Sequence, residues 1–288
     1  MSTRSLRTST GRSAKARGGT FRARTVSNFL RFVLNLCPIP SSVFPGSGKT
    51  TLLSLLTGDH PQSWTQPHLY LPSPSPSPPT PSSTHLILPR KKIPTPHLQS
   101  SIGLVSPELF DAFPRRNMSV WEAVGTGFDG SFVSHGKEGV GGAERTLDEI
   151  EWRVKRCWEL MEALGPATWG CSSRFNAGAE LTTTQAVPSA ATRAFASTPF
   201  SALPAGEQRM VLLMRAVVGK PPLVLLDEVW SGMVEEMALA ARRYLRDKIG
   251  KEQAVVVVTH WEDEVPWCLR EGVKRYVLQN GEGHVIQA

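Results

Sequence analysis

The sequence lacks the residue patterns that mark several large protein classes. Its four cysteines contain no CxxC pair, and its seven histidines contain neither an HxH nor an HExxH spacing. These absences argue against a disulfide framework and against a zinc site, and they favour a reducing compartment. No apolar run approaches the roughly 18 residues that a membrane-spanning helix needs, so no membrane span is predicted, although a membrane partner is left open.

Acidic residues are absent before Asp59, and basic residues are frequent in the same region. The basic residues of this leader are Arg4, Arg7, Arg12, Lys15, Arg17, Arg22, Arg24 and Arg31. The formal net charge of the chain is +7, so the part after the leader is close to neutral. A charge confined to one end does not form a basic binding face, and we therefore expect no nucleic acid partner.

Residues 1–40 form a leader that is rich in Arg, Ser and Thr and has no acidic residue. This composition is typical of a mitochondrial transit peptide and predicts a mitochondrial location. A disordered basic tail on a cytoplasmic protein is the alternative. In both cases we expect the leader to be disordered and the folded domain to span residues 41–288.

Proline is concentrated in one segment of that domain. Residues 61–100 contain eleven of the 23 prolines, centred on LPSPSPSPPTPSS. Such a segment lacks backbone donors and buries little apolar area, so a disordered Pro/Ser-rich insert is predicted. A proline-rich ligand for an SH3-type partner is the alternative.

Apolar periodicity predicts a helix in the middle of the chain. The segment TLDEIEWRVKRCWELMEALGP carries an apolar stripe at helical spacing. The members of this stripe are Ile150, Val154, Trp158, Met161 and Leu164. Thr146 and Glu149 have the spacing of a capping box at its start. Before it, SSIGLVSPELF reads as a short strand that enters a loop, and after it residues 167–201 are expected to be loosely structured surface.

Strands and helices alternate in the last third of the chain. GEQRMVLLMRAVVG and VEEMALAARRYLRDKIG have helical periodicity, while PLVLLDE and QAVVVVTH have the length and composition of buried strands. VKRYVLQNGEGHVIQ reads as a hairpin around Asn280-Gly281. This alternation predicts an α/β fold with a mostly parallel sheet that is covered on both faces.

The segment PGSGKTT contains most of a phosphate-binding loop of the form G-x-x-x-x-G-K-[ST]. Gly46 and Gly48 let the backbone curl so that successive N–H groups face one point, and Lys49 adds a positive charge there. Thr50 offers a hydroxyl to Mg²⁺, and the helix that follows adds the positive end of its dipole. A GSGKT string also occurs by chance in linkers, so this segment alone does not distinguish a phosphate-binding loop from a linker.

Two buried strands end in polar residues. Four aliphatic residues lead into Asp227, a candidate ligand of Mg²⁺, and Glu228, a candidate general base. The valine-rich strand ends in Thr259 and His260, which places an imidazole at the same edge. The alternative is that these residues have no functional role: the two acidic residues would simply end a strand, and the histidine would be structural. Ligands of open α/β sheets bind at the carboxyl ends of strands, so the joint occurrence of these groups predicts a nucleotide site.

In their order along the chain these segments resemble an ABC-type ATPase, an ATP-binding cassette domain. PGSGKTT resembles Walker A, LPAGEQ the LSGGEQ signature, LVLLDE Walker B, SGM the D-loop and VVVVTH the switch histidine. TGDHPQSW and DEVWSGM are most similar to the soluble branch related to molybdate-importer ATPases. The resemblance covers residues 43–60 and 98–288. It implies a P-loop NTPase-like, mostly parallel sheet flanked by helices, with a small helical subdomain.

The resemblance implies that the domain binds ATP and Mg²⁺ and hydrolyses ATP. The phosphate cradle would comprise Gly46, Ser47, Gly48, Lys49, Thr50 and Thr51. Thr50 and Asp227 would hold Mg²⁺. Glu228 and His260 would have the catalytic roles, the first orienting water and the second sensing the γ-phosphate.

The same resemblance implies a second ABC domain, because two such domains pack head to tail. Gly206 would then cap the γ-phosphate that the partner holds, in a homodimer or beside a missing second half. Two alternatives remain open for the function. One is a regulatory module that binds ATP with little or no hydrolysis, and the other is the energy-coupling subunit of a transporter.

Five residues depart from the family pattern. Val43 stands at the first glycine of the loop, Pro107 at the usual glutamine, Pro204 and Ala205 in the signature, and Val234 at the D-loop aspartate. The Pro, Ser, Leu and Phe codons before the loop and before residue 102 are pyrimidine-rich, like the tract that precedes a 3′ splice site. We hypothesise that parts of residues 25–44 and 64–90 are translated intron and that sheet strands before the loop are missing. The departures inside the signature and the D-loop predict slow or asymmetric turnover.

Overall fold

The structure is a computed structural model, and it describes residues 31–35, 48–73, 87–115, 118–133, 140, 145–169, 188–250, 253–259, 264–267, 273–279 and 282–286. The first thirty residues and the centre of the proline-rich segment, residues 74–86, lie outside this set. The mitochondrial or cytoplasmic location, the disorder of the leader before residue 31 and the SH3-type ligand therefore stay predictions.

The strands and helices alternate along the described residues much as the sequence predicts. The strands are β1 Arg31–Asn35, β2 Tyr70–Pro72, β3 Ile87–Pro89, β4 Ile102–Val105, β5 Leu223–Asp227, β6 Ala254–Thr259, β7 Val273–Gln279 and β8 Glu282–Ile286. The α-helices are α1 Lys49–Thr57, α2 Thr95–Ser100, α3 Pro107–Ala112, α4 Val120–Gly125, α5 Leu147–Leu164, α6 Ala190–Ser197, α7 Ala205–Val218 and α8 Glu235–Lys248. Within the described ranges, none of these helices combines the length and the apolar character that a membrane crossing requires.

Six of these strands form one sheet in the order β4-β5-β6-β1-β7-β8. Neighbouring strands from β4 to β7 are parallel, and β8 pairs antiparallel with β7. This arrangement confirms the predicted mostly parallel sheet. In the predicted hairpin Gln279 is paired with Glu282, so two residues connect the strands, in agreement with the turn signal of Asn280-Gly281.

Both faces of the sheet are covered, because successive side chains of a strand point to opposite faces. Val224 and Leu226 of β5 belong to the larger core cluster, which includes buried residues of α4, α5, α7 and α8. Leu223 and Leu225 belong to a second cluster on the other face, together with Leu53 of α1. The two-sided burial explains why this strand reads as a continuous apolar run.

Helices α4, α5 and α6 pack against one another, α4 and α5 also pack against α7, and together they form the predicted helical part. The rings of Phe113 and Phe200 meet edge to face with centroids 5.2 Å apart. Such an aromatic pair adds about 0.5–1.5 kcal/mol to the effect of buried area. The expectation of loosely structured surface is wrong for residues 188–201, because this stretch contains α6 and the buried Phe200. Residues 170–187 lie outside the described residues.

The buried stripe of α5 differs from the predicted one over the first half of the helix. Glu149, Arg153 and Cys157 are buried there, whereas Ile150 and Val154 are only half-buried. The helix is thus rotated by about one residue relative to the apolar pattern. When charged residues are buried in pairs, the pattern of apolar residues alone does not identify the buried face of a helix correctly.

Charged pairs account for this rotation. Arg145 and Arg153 place nitrogen atoms 2.5 Å and 3.0 Å from Oε1 of Glu149. Arg153 also lies 3.1 Å from Oδ1 of Asp129. Paired charges tolerate a degree of burial that single charges do not. Thr146 caps α5 as predicted, but the carboxylate of Glu149 pairs with the arginines instead of completing the predicted capping box.

Strand β1 shows that the predicted leader is not disordered throughout, while the intron hypothesis stays a prediction. It lies inside the predicted leader 1–40 and inside the hypothesised intron segment 25–44. It pairs in parallel with β6 on one side and with β7 on the other. Without it, the central edges of β6 and β7 would present unpaired backbone groups. A sheet strand therefore precedes the phosphate loop, and residues 31–35 belong to the folded domain.

Both ends of the proline-rich insert are ordered, so the prediction of disorder over 61–100 is wrong for these ends. Leu71 of β2, Ile93 and Leu98 of α2 are buried in the core cluster that contains α1. Pro61 and Pro96 stand in the first turn of a 3₁₀ helix and of α2, where a missing N–H removes no helical hydrogen bond. The prediction considered the high proline content, but the apolar residues between the prolines bury enough area to order these ends.

Arg90 connects the two ends of this insert. It is fully buried, and its Nε donates a hydrogen bond to Oγ of Ser63 at 3.0 Å. The guanidinium also donates to the carbonyl oxygen of Ile93 at 2.5 Å and to Oγ1 of Thr95 at 2.8 Å. It lies 4.3 Å from the ring centroid of Trp64, within cation–π range. Residues on both sides of the undescribed centre are therefore held in one packed unit.

Replacing Arg90 by methionine is expected to lower the free energy of unfolding by about 2–4 kcal/mol. The reason is that several buried acceptors lose their donor at once. Urea denaturation measures this change. The matched control is Lys91→Met in the same turn, because Lys91 is exposed, and it should change the free energy by less than about 0.5 kcal/mol. Equal effects of the two substitutions would contradict the connecting role of Arg90.

Candidate functional site

Helix α1 begins at the phosphate-loop motif. Gly48 is its N-cap residue with a φ of 85°, in the left-handed region that glycine adopts without strain. Its carbonyl oxygen accepts the first helical hydrogen bond, from the N–H of Leu52 at 2.9 Å. The N–H groups of the first turn, which starts at Lys49, have no intrahelical acceptor. This end of α1 therefore offers donors and a positive dipole to an anion.

The Lys49 side chain reaches the end of β5. Its Nζ lies 3.4 Å from Oε1 of Glu228, a residue 179 positions further along the chain. The two side chains are 21% and 36% exposed. An ion pair with this solvent access contributes at most about 1 kcal/mol to stability. Its main significance is positional, because it joins the phosphate loop to the acidic end of a buried strand.

The predicted acidic pair lies where β5 ends. Asp227 is the last residue of the strand, and it is buried and paired opposite Val258 of β6. Glu228 has a φ of 48°, a conformation that is uncommon for a residue other than glycine and costs roughly 1–3 kcal/mol. Its N–H donates a hydrogen bond to the carbonyl oxygen of Val258 at 3.1 Å. This turn places the carboxylate of Glu228 beside Lys49.

The carboxyl ends of β1 and β6 lie beside that of β5. Asn35 at the end of β1 is paired opposite Thr259 at the end of β6. Thr259 is buried, and its Oγ1 donates a hydrogen bond to Oε2 of Glu264. Three neighbouring parallel strands thus end at one edge, the usual position of a ligand site in an open α/β sheet.

The structure places part of the predicted site at this edge. Lys49, Asp227 and Glu228 lie there, Gly48, Thr50 and Thr51 lie at the start of α1, and Gly46, Ser47 and His260 lie outside the described residues. The two threonines are exposed on the first turn of α1. The functional roles of all these residues stay predictions.

The oxygen atoms of Thr50 and Asp227 have the chemistry that a magnesium ion prefers. Mg²⁺ is usually held by one or two protein oxygens, with phosphate oxygens and water as the remaining ligands. Among the described residues, no group of three or more His, Cys, Asp or Glu side chains is arranged to hold a metal ion. Thr50 and Asp227 would therefore hold such an ion only together with the oxygens of a nucleotide.

Gly206 lies in the first turn of α7 and packs against the turn that follows β5. A Cβ atom at this position would lie 2.5 Å from the carbonyl oxygen of Gly232, so a larger residue would displace that turn. Arg209 donates a hydrogen bond to the carbonyl oxygen of Ser231. Its guanidinium also lies 4.7 Å from the ring centroid of Phe110 in α3. Gly206 thus has a packing role within this chain, and its role toward a partner's phosphate stays a prediction.

Three of the residues that depart from the family pattern begin helices. Pro204 is the N-cap of α7 and Val234 is the N-cap of α8, and neither supplies the side-chain oxygen that a good cap provides. Pro107 is the first residue of α3, and Ser106 caps that helix by accepting a hydrogen bond from the N–H of Leu109 at 3.1 Å. The segment after β4 was predicted to be a loop but is a short helix. A serine at the N-cap followed by a proline at the first helical position favours a helix start.

A family model described as ABC transporter matches residues 45–231. An uncharacterised ABC transporter ATP-binding protein of Schizosaccharomyces pombe is 27% identical over 238 residues, which cover 82% of this chain and 38% of that protein. The ABC transporter ATP-binding protein ModF of Escherichia coli is 26% identical over 242 residues, which cover 81% of this chain and 39% of ModF. This chain thus spans about two fifths of the length of these two relatives.

The dimeric structure of a bacterial ABC transporter cassette has a TM-score of 0.49 and 14% sequence identity to this chain. The match covers 92% of this chain and 89% of the other.

Proposed function

Because the chain belongs to the ABC transporter family, we propose that its folded domain binds ATP with Mg²⁺ at the carboxyl edge of the sheet and hydrolyses it. The family match runs from the phosphate loop to the turn after β5 and so includes Lys49, Asp227 and Glu228. ATP binding is the activity most directly associated with this family and with the named relatives. Hydrolysis is the further step that the acidic end of β5 supports.

The contact between Lys49 and Glu228 is the observation that carries the proposal. A phosphate-loop lysine serves to bind phosphate oxygens, and an acidic residue after a buried strand serves to orient the attacking water. These two functions are useful together only if both groups reach the same phosphate. The 3.4 Å separation of Nζ and Oε1 supports such a common position.

Hydrolysis requires an oriented water, a proton acceptor and stabilisation of the phosphate charge. Glu228 would orient the water and accept its proton as an oxygen–phosphorus bond forms and the bond to ADP breaks. Lys49 and the first-turn N–H groups of α1 would bind the phosphate oxygens. Thr50 and Asp227 would hold the Mg²⁺, which when bound neutralises part of the phosphate charge.

Lys49 would exchange one partner for another during binding. Phosphate oxygens would compete with Glu228 for the same ammonium group, and charge-assisted hydrogen bonds to phosphate are stronger than an exposed ion pair. The carboxylate of Glu228 would then be available to a water molecule. The hydrogen bond from its N–H to Val258 would keep the residue at the strand end during this exchange.

A second ABC domain, either another copy of this chain or a separate second half, would complete the site. Gly206 and Gly232 join the start of α7 to the turn after β5. Next to this contact Pro204, Ser231 and Val234 are exposed, the last of them by 57%. Two exposed segments that share a packing contact give one continuous surface, which supports a role in facing a partner domain.

The rate of phosphate release from ATP tests this proposal. Turnover per chain is expected to rise with chain concentration, because two domains must meet to complete each site. The measurement uses the full chain over a range of concentrations with Mg²⁺, and with EDTA as the control. Absence of phosphate release at every concentration, with ATP still bound, would contradict hydrolysis by two copies of this chain and favour the second candidate.

That second candidate is a regulatory module that binds ATP with little or no hydrolysis. Pro204 has no backbone N–H to donate, and Val234 has no side-chain oxygen, at the two helix starts of the proposed partner surface. Fewer donors toward the phosphate would stabilise the developing charge less and slow the reaction. A comparison of wild type with Glu228→Gln, described in the Discussion, separates the two candidates.

A further inference from the structure

A cavity of about 410 Å³ opens at the amino ends of β4 and β5. Ile102 and Gly103 line it at the start of β4, and Pro221 and Pro222 line it just before β5. The proposed nucleotide site lies at the other end of the same strands. Four residue steps separate Leu223 from Asp227, or about 13 Å along the strand. The cavity is therefore a separate feature of the fold.

Two of the three arginines that line this cavity are neutralised by carboxylates. Arg145 and Arg153 each pair with both Asp129 and Glu149, in a square of two positive and two negative groups. Arg153 also donates a hydrogen bond to the carbonyl oxygen of Val140 at 3.2 Å. The formal charges of this square sum to zero.

The third arginine, Arg215, differs from the other two in its partners. It is only 6% exposed, and it donates hydrogen bonds to Oγ1 of Thr126 and to the carbonyl oxygen of Ser131, both at 2.9 Å. Its guanidinium lies 5.5 Å and 5.1 Å from the ring centroids of Phe113 and Phe132. All of these partners are neutral, and among the described residues none of its contacts is a carboxylate.

The buried charge of Arg215 persists at neutral pH. Burial lowers the pKa of its guanidinium to about 10, which still leaves the group protonated at pH 7. Among the described residues, the square and Arg215 together have three arginines and two carboxylates, which leaves one positive charge. Because Arg215 is among the residues that line the cavity, an anion bound there would offset part of the cost of burying this charge.

The backbone around Arg215 is tightly packed. A Cβ atom at Gly127 would lie 2.0 Å from the carbonyl oxygen of Arg215, and one at Gly103 would lie 2.0 Å from that of Ala216. The two glycines thus let α7 rest directly on the neighbouring backbone. This close packing fixes the backbone of α7 at the wall of the cavity, and the hydrogen bonds to Thr126 and Ser131 fix the side chain of Arg215.

We propose that this cavity binds a small molecule through an oxyanion group, a phosphate or a carboxylate, with Arg215 as the charge that receives it. A guanidinium presents a planar set of donors that matches the oxygens of either group. The volume lies within the range of about 300–1,000 Å³ found for sites of small organic ligands, and it exceeds the needs of a lone inorganic ion. The site is distinct from the one proposed for ATP and does not depend on it.

Isothermal titration of the full chain tests the proposal in a Lys49→Ala background, which removes the lysine that would bind phosphate at α1. The probes are inorganic phosphate, succinate and, as a neutral compound, glycerol. We expect one or both anions to bind and glycerol not to bind. Arg215→Gln should raise the dissociation constant by at least about tenfold, the loss expected for a charged hydrogen bond. The control Lys155→Gln, at an exposed position of α5, should change it by less than about twofold.

Circular dichroism checks whether Arg215→Gln folds. If it does not, a second variant still tests the proposal. Arg145→Gln removes one charge from the half-exposed side of the square and leaves Arg215 in place, so the local charge falls from +1 to zero. It should weaken anion binding by at least about threefold. Absence of binding by both anions, or equal binding by the arginine variants and the Lys155→Gln control, would overturn the proposal.

Discussion

Glu228→Gln is expected to reduce the steady-state rate of ATP hydrolysis by at least about 10²-fold while leaving Mg²⁺–ATP bound. A positioned general base contributes roughly 10²–10⁴-fold to such a reaction, and an amide oxygen cannot take the proton of the attacking water. Glutamine keeps the size of the side chain and an oxygen that can accept a hydrogen bond from Lys49. Loss of turnover with retained binding would therefore identify the chemical role of the carboxylate.

Phosphate release and equilibrium binding of ATP are the two measurements for this variant. The matched control is Glu236→Gln, because Glu236 is an exposed carboxylate on α8, away from Lys49. It should leave both quantities within about twofold of wild type. If Glu228→Gln hydrolysed ATP as fast as the control, the hydrolytic role of this residue would be wrong and the regulatory candidate would be favoured.

Lys49→Ala is expected to raise the dissociation constant of ATP by about 10- to 100-fold. Hydrogen bonds to charged groups are worth about 1.5–3 kcal/mol, and the ammonium of Lys49 lies at the site where the phosphates would bind. Fluorescence titration with a nucleotide analogue and competition by ATP measure this change. The control Lys248→Ala removes an exposed lysine at the end of α8 and should have little effect.

The stability of the Lys49→Ala chain separates a binding role from a structural one. The ion pair with Glu228 is partly exposed, so its loss should lower the free energy of unfolding by no more than about 1 kcal/mol. A large loss of stability with unchanged affinity for ATP would show that Lys49 supports the fold and does not bind phosphate.

The C-terminal third of the fold was predictable because each of its elements is encoded locally. The strand around Leu225 is apolar on both faces, and the hairpin carries Asn280-Gly281 where a two-residue connection is required. The meeting of Lys49 with Glu228 was also predictable, since parallel strands bring their carboxyl ends to one edge. Motif spacing and sheet geometry are independent arguments, and both place these two residues at the carboxyl edge of the sheet.

The misassigned parts depend on contacts that composition does not reveal. β1 lies in a basic, serine-rich region, and only its pairing with β6 and β7 identifies it as a central strand. Arg90 holds together a segment that its proline content marks as disordered. Arg209 follows directly after LPAGEQ, but its link to Ser231 and Phe110 requires three separate elements to be in place.

The convergence of Lys49, Asp227 and Glu228 on one triphosphate is tested most directly by a crystal structure of the Glu228→Gln chain with Mg²⁺–ATP. We expect the phosphates to lie on the first turn of α1, with Nζ of Lys49 about 3 Å from a phosphate oxygen. We further expect the metal to be held on the side of Asp227 and the side chain at position 228 to face the terminal phosphate. A triphosphate bound elsewhere on the chain, with Lys49 still directed at position 228, would contradict the account.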